Sequence, residues 1–216
     1  MAASTKEQVA QILLENVPSD LVMAIQDALS EGARQGFIDG QRMDPGHRKA
    51  MIGQNRYFFT NQLLHTVFEQ HDAFPTPLKS NQIIIGRAGH ISLACYHADN
   101  ILVAGKRSTQ RRMLAEINQA LSAYLNPDLY DEHPPLTDIA CFFISTPNPF
   151  YQEDGEQDVL SRLQIAVPDP SFSHWLLIEN VSSFLERYET HSIQTDNAFA
   201  MLKKGVVTKD TQEEAT

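Results

Sequence analysis

The side chains best equipped for chemistry crowd into the middle of the chain. Arg87, His90, Tyr96, His97, Lys106 and Arg107 fall within one strand-like stretch and its exit. Metal-independent RNA cleavage needs a base, an acid and cations to meet the developing phosphorane charge. These residue types would serve, with His90, His97 and Arg87 as the catalytic candidates. The run Gly105-Lys106-Arg107-Ser108-Thr109 then leads into a helix carrying Arg111 and Arg112 in its first turn. The helix macrodipole disfavours cations there by a few tenths of a kcal/mol each, so pairing with an anion or with the chain's own acidic loops is expected. Free N–H groups, the Ser108 hydroxyl and four cations would converge at such a junction. A second basic group, Arg42, Arg48, Lys49 and Arg56, surrounds the start of another helix. Lys49 and Arg56 are seven apart and share a helical face that could track a phosphate backbone.

Other chemistries lack their residues. A phosphate-binding loop of the G-x4-G-K-[ST] kind fails, because Asn100 stands at the first glycine position and Arg107 separates Lys106 from Ser108. No G-x-S-x-G elbow is present, and no strand-like run carries a (D/E)-x-K triplet for a metal-dependent nuclease. His65 and His71 lie six apart on a helix and do not share a face, and His90 and His97 bracket one strand at odd separation. No metal and no cofactor is therefore expected. Cys95 and Cys141, the two cysteines, sit in apolar runs without a basic neighbour to lower a thiol pKa. They read as core residues of a reducing compartment, with a single bridge between them left open.

These residues need elements to hold them. Val9, Ile12, Leu13 and Val17 recur at helical spacing up to Pro18, and Ser19 is placed to cap a second helix with Leu21, Val22, Ile25, Ala28 and Leu29 on one face. Gly32, Gly36 and Gly40 predict that this helix frays into a connector, each interior glycine costing about 1 kcal/mol. Asp44-Pro45 restarts a helix that runs to the breakers Pro75 and Pro77, with Gly53 as a point of division. Ile83–Ile85, Ile91–Cys95 and Ile101–Val103 predict a three-stranded antiparallel meander with turns at Ala88-Gly89 and Asp99-Asn100. Ser108 or Thr109 caps a helix buried along Leu114, Ile117, Leu121 and Leu125. Strands follow at Asp138–Ser145, Leu160–Val167 and Trp175–Ile178, then a last helix over about 181–189. The order is α+β: N-terminal helices, then a mostly antiparallel sheet with an inserted helix and a C-terminal helix. It divides into an N-terminal helical segment, 1–41, a core domain, 42–202, and a mobile tail, 203–216.

Charge separates along the same line. The 216 residues carry 17 basic and 27 acidic side chains, a net −10, which taken alone speaks against nucleic acid. Residues 42–112 hold ten basic and four acidic side chains, a net +6, against −16 for the remainder. No apolar run approaches the roughly 20 residues of a membrane helix, and the first residues lack a signal-peptide pattern, so a cytosolic protein without a membrane partner is expected. The leading expectation is a binding protein that engages an anionic partner, nucleic acid, through Arg87, Lys106, Arg107, Ser108, Arg111 and Arg112, with Arg48, Lys49 and Arg56. A small ribonuclease or toxin-like enzyme working in the same region is the second. A protein–protein or inhibitor module, docking a basic partner through the acidic 128–158 region, is the third.

Overall fold

The computed structural model of the chain describes residues 4–79, 82–125, 136–152 and 158–196. Three helices come first: α1 (Thr5–Asn16), α2 (Ser19–Gln41) and α3 (Pro45–Gln70). A hairpin of β1 (Ile85–Ala88) and β2 (Ile91–His97) follows, then α4 (Ile101–Arg107), α5 (Thr109–Glu116) and α6 (Gln119–Leu125). The chain closes with β3 (Ile139–Pro147), β4 (Leu160–Pro168), β5 (Trp175–Asn180) and α7 (Val181–Asp196). The α+β class is as the pattern implies. The tail 203–216 and, within the acidic 128–158 region, residues 128–135 and 153–157 lie outside the described residues.

The five strands lie side by side in chain order. Every pair is antiparallel except β2 with β3, which run parallel with His97 opposite Ser145. Parallel neighbours need a crossover, and α4 to α6 supply it. Strands covered on both faces become continuous apolar runs, which is why β2 and β3 are buried at almost every position. Ile91, Leu93, Cys95, Ile139, Cys141 and Phe143 face a core shared with α1, α2, the end of α3 and α7. Ala94, Tyr96, Ala140, Phe142 and Ile144 face a second core with Leu114 and Ala115 of α5 and the rings of Phe172 and Trp175.

Several expectations are corrected. Gly32, Gly36 and Gly40 do not fray α2, which runs unbroken for 23 residues. They form the stripe on which α3 lies: a Cβ at Gly32 would sit 2.5 Å from Thr60 Oγ1, and one at Gly36 would sit 2.5 Å from the Arg56 backbone nitrogen. Close backbone packing offsets the propensity cost that sequence spacing alone registers. Gly53 does not divide α3 either; it faces open space within one 26-residue helix. That helix ends where Asp72 takes φ 54° and the Ala73 N–H donates to the Phe68 carbonyl at 2.8 Å, a left-handed helix stop.

Ile101–Val103 is the first turn of α4, not a strand, so the meander reduces to a hairpin. Its β-branched residues suggested a strand, but Asn100 accepts from the Val103 N–H and caps a helix that the crossover requires. Of Ile83–Ile85 only Ile85 lies in β1. The helix expected after Ser108 splits at Ile117–Asn118. There Asn118, fully buried, donates to the Ala140 and Pro168 carbonyls and accepts from the Ala140 N–H at 2.7 Å. That amide ties the crossover to β3 and β4, satisfying backbone groups that would otherwise be stranded in the core. The last helix extends beyond 189 to Asp196.

Candidate anion-binding site

The C-terminal end of β2 meets the middle of α3 and the first turn of α5. Ligand sites in sheets with parallel strands commonly open at strand C-termini. His97, the last residue of β2, sits here with both ring nitrogens occupied: Nδ1 hydrogen-bonds Ser145 Oγ at 2.5 Å and Nε2 hydrogen-bonds Thr60 Oγ1 at 3.3 Å. Burial pushes its pKa down, and the charges of Arg56 and Arg111 push further, to about 3. The imidazole is neutral at pH 7.

Against this ring lies a recess of about 200 Å³, lined by Tyr57, Thr60 and Asn61 of α3, Tyr96 and His97 of β2, and Arg111 of α5. Ile83 closes one side; its N–H donates to Gln110 while the Tyr57 hydroxyl donates to the Gln82 carbonyl at 2.7 Å. Arg111 is held from two directions. Its guanidinium lies 4.1 Å over the Tyr96 ring and Nη1 donates to the Ala104 carbonyl at 3.0 Å. Its Nε is buried with no hydrogen-bond partner. Arg56, on the α2-facing side of α3, likewise buries an Nε without a partner. Burial lowers the pKa of both guanidiniums; Asp99 opposes the shift at Arg56, and Tyr96 and Tyr57 oppose it at Arg111. Both remain charged at any ordinary pH.

Arg111 in the recess wall and Arg56 close to His97, neither bonded to a carboxylate among the described residues, make the surroundings of the neutral histidine electropositive. Each Nε is shut off from solvent, so the outer guanidinium nitrogens of Arg111 are the donors a partner from outside the chain could meet. A larger polar groove of about 470 Å³ lies by Gln26, Ser30, Arg162 and Asn180, but no orphaned buried donor lines it.

The structure brings together only part of the residues singled out by sequence. Arg56, His97 and Arg111 converge. Ser108 spends its hydroxyl capping α5, accepting from the Arg111 N–H at 3.4 Å. Lys106 and Arg107 are exposed in the last turn of α4, so their junction joins two helices rather than a strand and a helix. Arg112 is exposed and reaches Thr109, while Arg48 is exposed and donates to the Met43 carbonyl. Lys49 is exposed, whereas Arg56, two turns further along α3, is half-buried. Arg87 pairs with Asp138 at 2.5 Å and is neutralised there. His90 precedes β2, about 23 Å from His97 at the usual strand rise, so the two imidazoles cannot act as one acid–base pair. Both cysteines are free and buried; burial raises both thiol pKa values, that of Cys141 to about 12.

Thr60, Tyr57, Asn61 and Ser145 escaped sequence reasoning. Thr60 sits four residues after Arg56, one turn along the same helix, and that spacing was the available signal. Ser145 carries none, since it reaches His97 only through parallel pairing of distant strands. Among the described residues no group of three or more His, Cys, Asp and Glu could hold a metal, and no helix is long and apolar enough to cross a membrane. No protein-family model matches the chain, and no match is found among curated proteins or solved structures.

Proposed function

We propose that this chain is a cytosolic binding protein that engages an anionic partner, nucleic acid, through its basic 42–112 segment, with the recess at the end of β2 as the point of closest recognition. The observation that carries this reading is Arg111 in the wall of the recess, held over the Tyr96 ring with no carboxylate partner among the described residues, beside a neutral His97. Guanidiniums match phosphate oxygens through charge-assisted, two-pronged hydrogen bonds, so an unmet Arg edge suits that ligand better than a lysine would. The exposed Lys106 and Arg107, one turn beyond the Ala104 carbonyl that anchors Arg111, add a longer-range pull on a polyanion.

Binding is favoured over catalysis in this pocket. A general base works best with a pKa near the operating pH, and an imidazole pushed to about 3 accepts protons poorly at neutrality. Fluorescence anisotropy with a labelled single-stranded RNA, across roughly 50 to 200 mM salt, tests the proposal. Affinity should fall steeply with salt. Lys106→Ala/Arg107→Ala should flatten the log–log slope by up to about 1.4, two contacts at about 0.7 each. Absence of binding to RNA and DNA at the lowest salt rejects it.

A further inference from the structure

Resting on that reading, we infer that the Arg111 recess takes a phosphate monoester, the terminal phosphate of a nucleic-acid strand or of a mononucleotide, and not an internal phosphodiester. The first argument is shape. Walls from α3, β2 and α5 leave about 200 Å³, and Ile83 closes a further side. An internal phosphodiester carries a sugar on each of two ester oxygens, so both flanking nucleosides would have to leave the recess. A monoester has one substituent and can enter end-on, its three unsubstituted oxygens facing the donors.

The second argument is charge. A monoester carries roughly −1.5 to −2 at neutral pH, an internal diester −1. Arg111 lines the recess and Arg56 lies close enough to His97 for its charge to act on the ring, and neither makes a hydrogen bond or close ion pair with a carboxylate among the described residues. His97, its nitrogens engaged by Thr60 and Ser145, adds no charge of its own. A dianion is the complement of such a pair.

The third argument is preorganisation. Arg111 arrives already oriented, with Tyr96 under its plane, the Ala104 carbonyl on Nη1 and Nε shut off from solvent, so Nη2 is what remains for a ligand. Asn61 supplies a neutral amide at the same wall, and Tyr57, whose hydroxyl is spent on Gln82, offers ring surface to the attached sugar. Fixing a guanidinium before binding removes much of the ordering cost that a free arginine would bear.

The test compares one short RNA sequence with a 5′-phosphate, a 3′-phosphate or hydroxyls at both ends, with uridine monophosphate and inorganic phosphate as competitors, all against the full chain. At least one phosphorylated end should bind tenfold or more tightly than the hydroxyl form. Arg111→Lys, which keeps the charge and loses the fork, should erase that difference. Asn61→Ala, outside the guanidinium pair, should shrink it while keeping the native circular dichroism, which covers the case in which the arginine variant misfolds. Tight but equal binding of phosphorylated and hydroxyl RNA overturns this inference and leaves the nucleic-acid reading standing. Binding of uridine monophosphate without any RNA binding supports monoester recognition and overturns nucleic acid as the partner. Binding of none of the probes overturns both.

Discussion

Arg187 and Arg111 are both partly buried arginines on helices, yet their surroundings are opposite. Arg187 of α7 donates from Nη1 to Glu7 at 2.7 Å and from Nε and Nη2 to Glu179, each at 2.9 Å, and Lys6 adds a contact to Glu179 at 3.4 Å. Its hydrogen bonds to both carboxylates raise its pKa. Arg187 lowers Glu7 through a side-chain hydrogen bond; at Glu179 burial raises the carboxyl pKa and the Arg187 contacts more than reverse it. That crease, where α1, β5 and α7 meet, opens on a groove of about 470 Å³. Its cation is spent on the protein's own acids, and its job is to hold three elements together. Around Arg111 no carboxylate bonds the guanidinium among the described residues. The difference teaches that a buried basic residue with an internal counter-charge is spent on the fold, so a candidate ligand site is sought where that counter-charge is lacking.

The comparison breaks first if the recess is not rigidly built. Its α3 wall rests on the glycine stripe of α2, so Gly36→Ala must push the helices apart at Arg56. A destabilisation of about 3 kcal/mol in urea unfolding is expected, and a loss of anion affinity with it. A cost below about 1 kcal/mol would show that the two helices give way easily and that the cradle is not preformed.

The next test sets the two arginines against each other. Arg187→Ala leaves Glu179, largely buried, without its main partner and should cost about 1–3 kcal/mol. Glu7 is half-exposed and screened by solvent, so it contributes little. Arg111→Met removes a desolvated charge that no carboxylate repays, and should change stability by less than about 1 kcal/mol in either direction. Equal, large losses in both variants would mean that Arg111 too is a structural strut.

The smallest effect is read from acid. His97 takes up a proton near pH 6.5 in the unfolded chain but only near 3 when folded. Between these values the unfolded state binds more protons, so stability rises with pH and falls on acidification. The slope for one group is at most about 1.4 kcal/mol per pH unit. Glu7 and Glu179, lowered from 4.5, add their own loss only near and below that value, so the window from about 6.5 to 4.5 isolates the histidine. His97→Gln should flatten urea midpoints across that window. An unchanged slope would mean that the imidazole is not held neutral by its surroundings.

Legibility varied with how local the deciding interaction was. The strands from Ile139, Leu160 and Trp175 and the start of α3 at Asp44-Pro45 were readable, because alternation, apolar runs and helix starts are near-neighbour patterns. Ile101–Val103 was misread because β propensity there yields to the crossover that β2–β3 pairing demands. Gly32, Gly36 and Gly40 were misread because a glycine's interior cost is local, whereas the gain comes from a helix that starts later in the chain. For the candidate site, residue type flagged Arg56, His97 and Arg111. It flagged Arg87 and His90 equally, although one is paired with Asp138 and the other sits at the far end of β2.

The amino-acid sequence alone determined the α+β class, the +6 segment inside a −10 chain and the absence of several catalytic signatures, since composition and short-range spacing carry these. Tertiary structure alone decided which cations are spent and which are free to meet a ligand. Whether a guanidinium finds a carboxylate depends on partners scores of residues away, as with Arg187 and Glu7, or on their absence, as at the wall shared by α3, β2 and α5. Desolvation and pairing are properties of a packed neighbourhood, and no spacing along the chain encodes them.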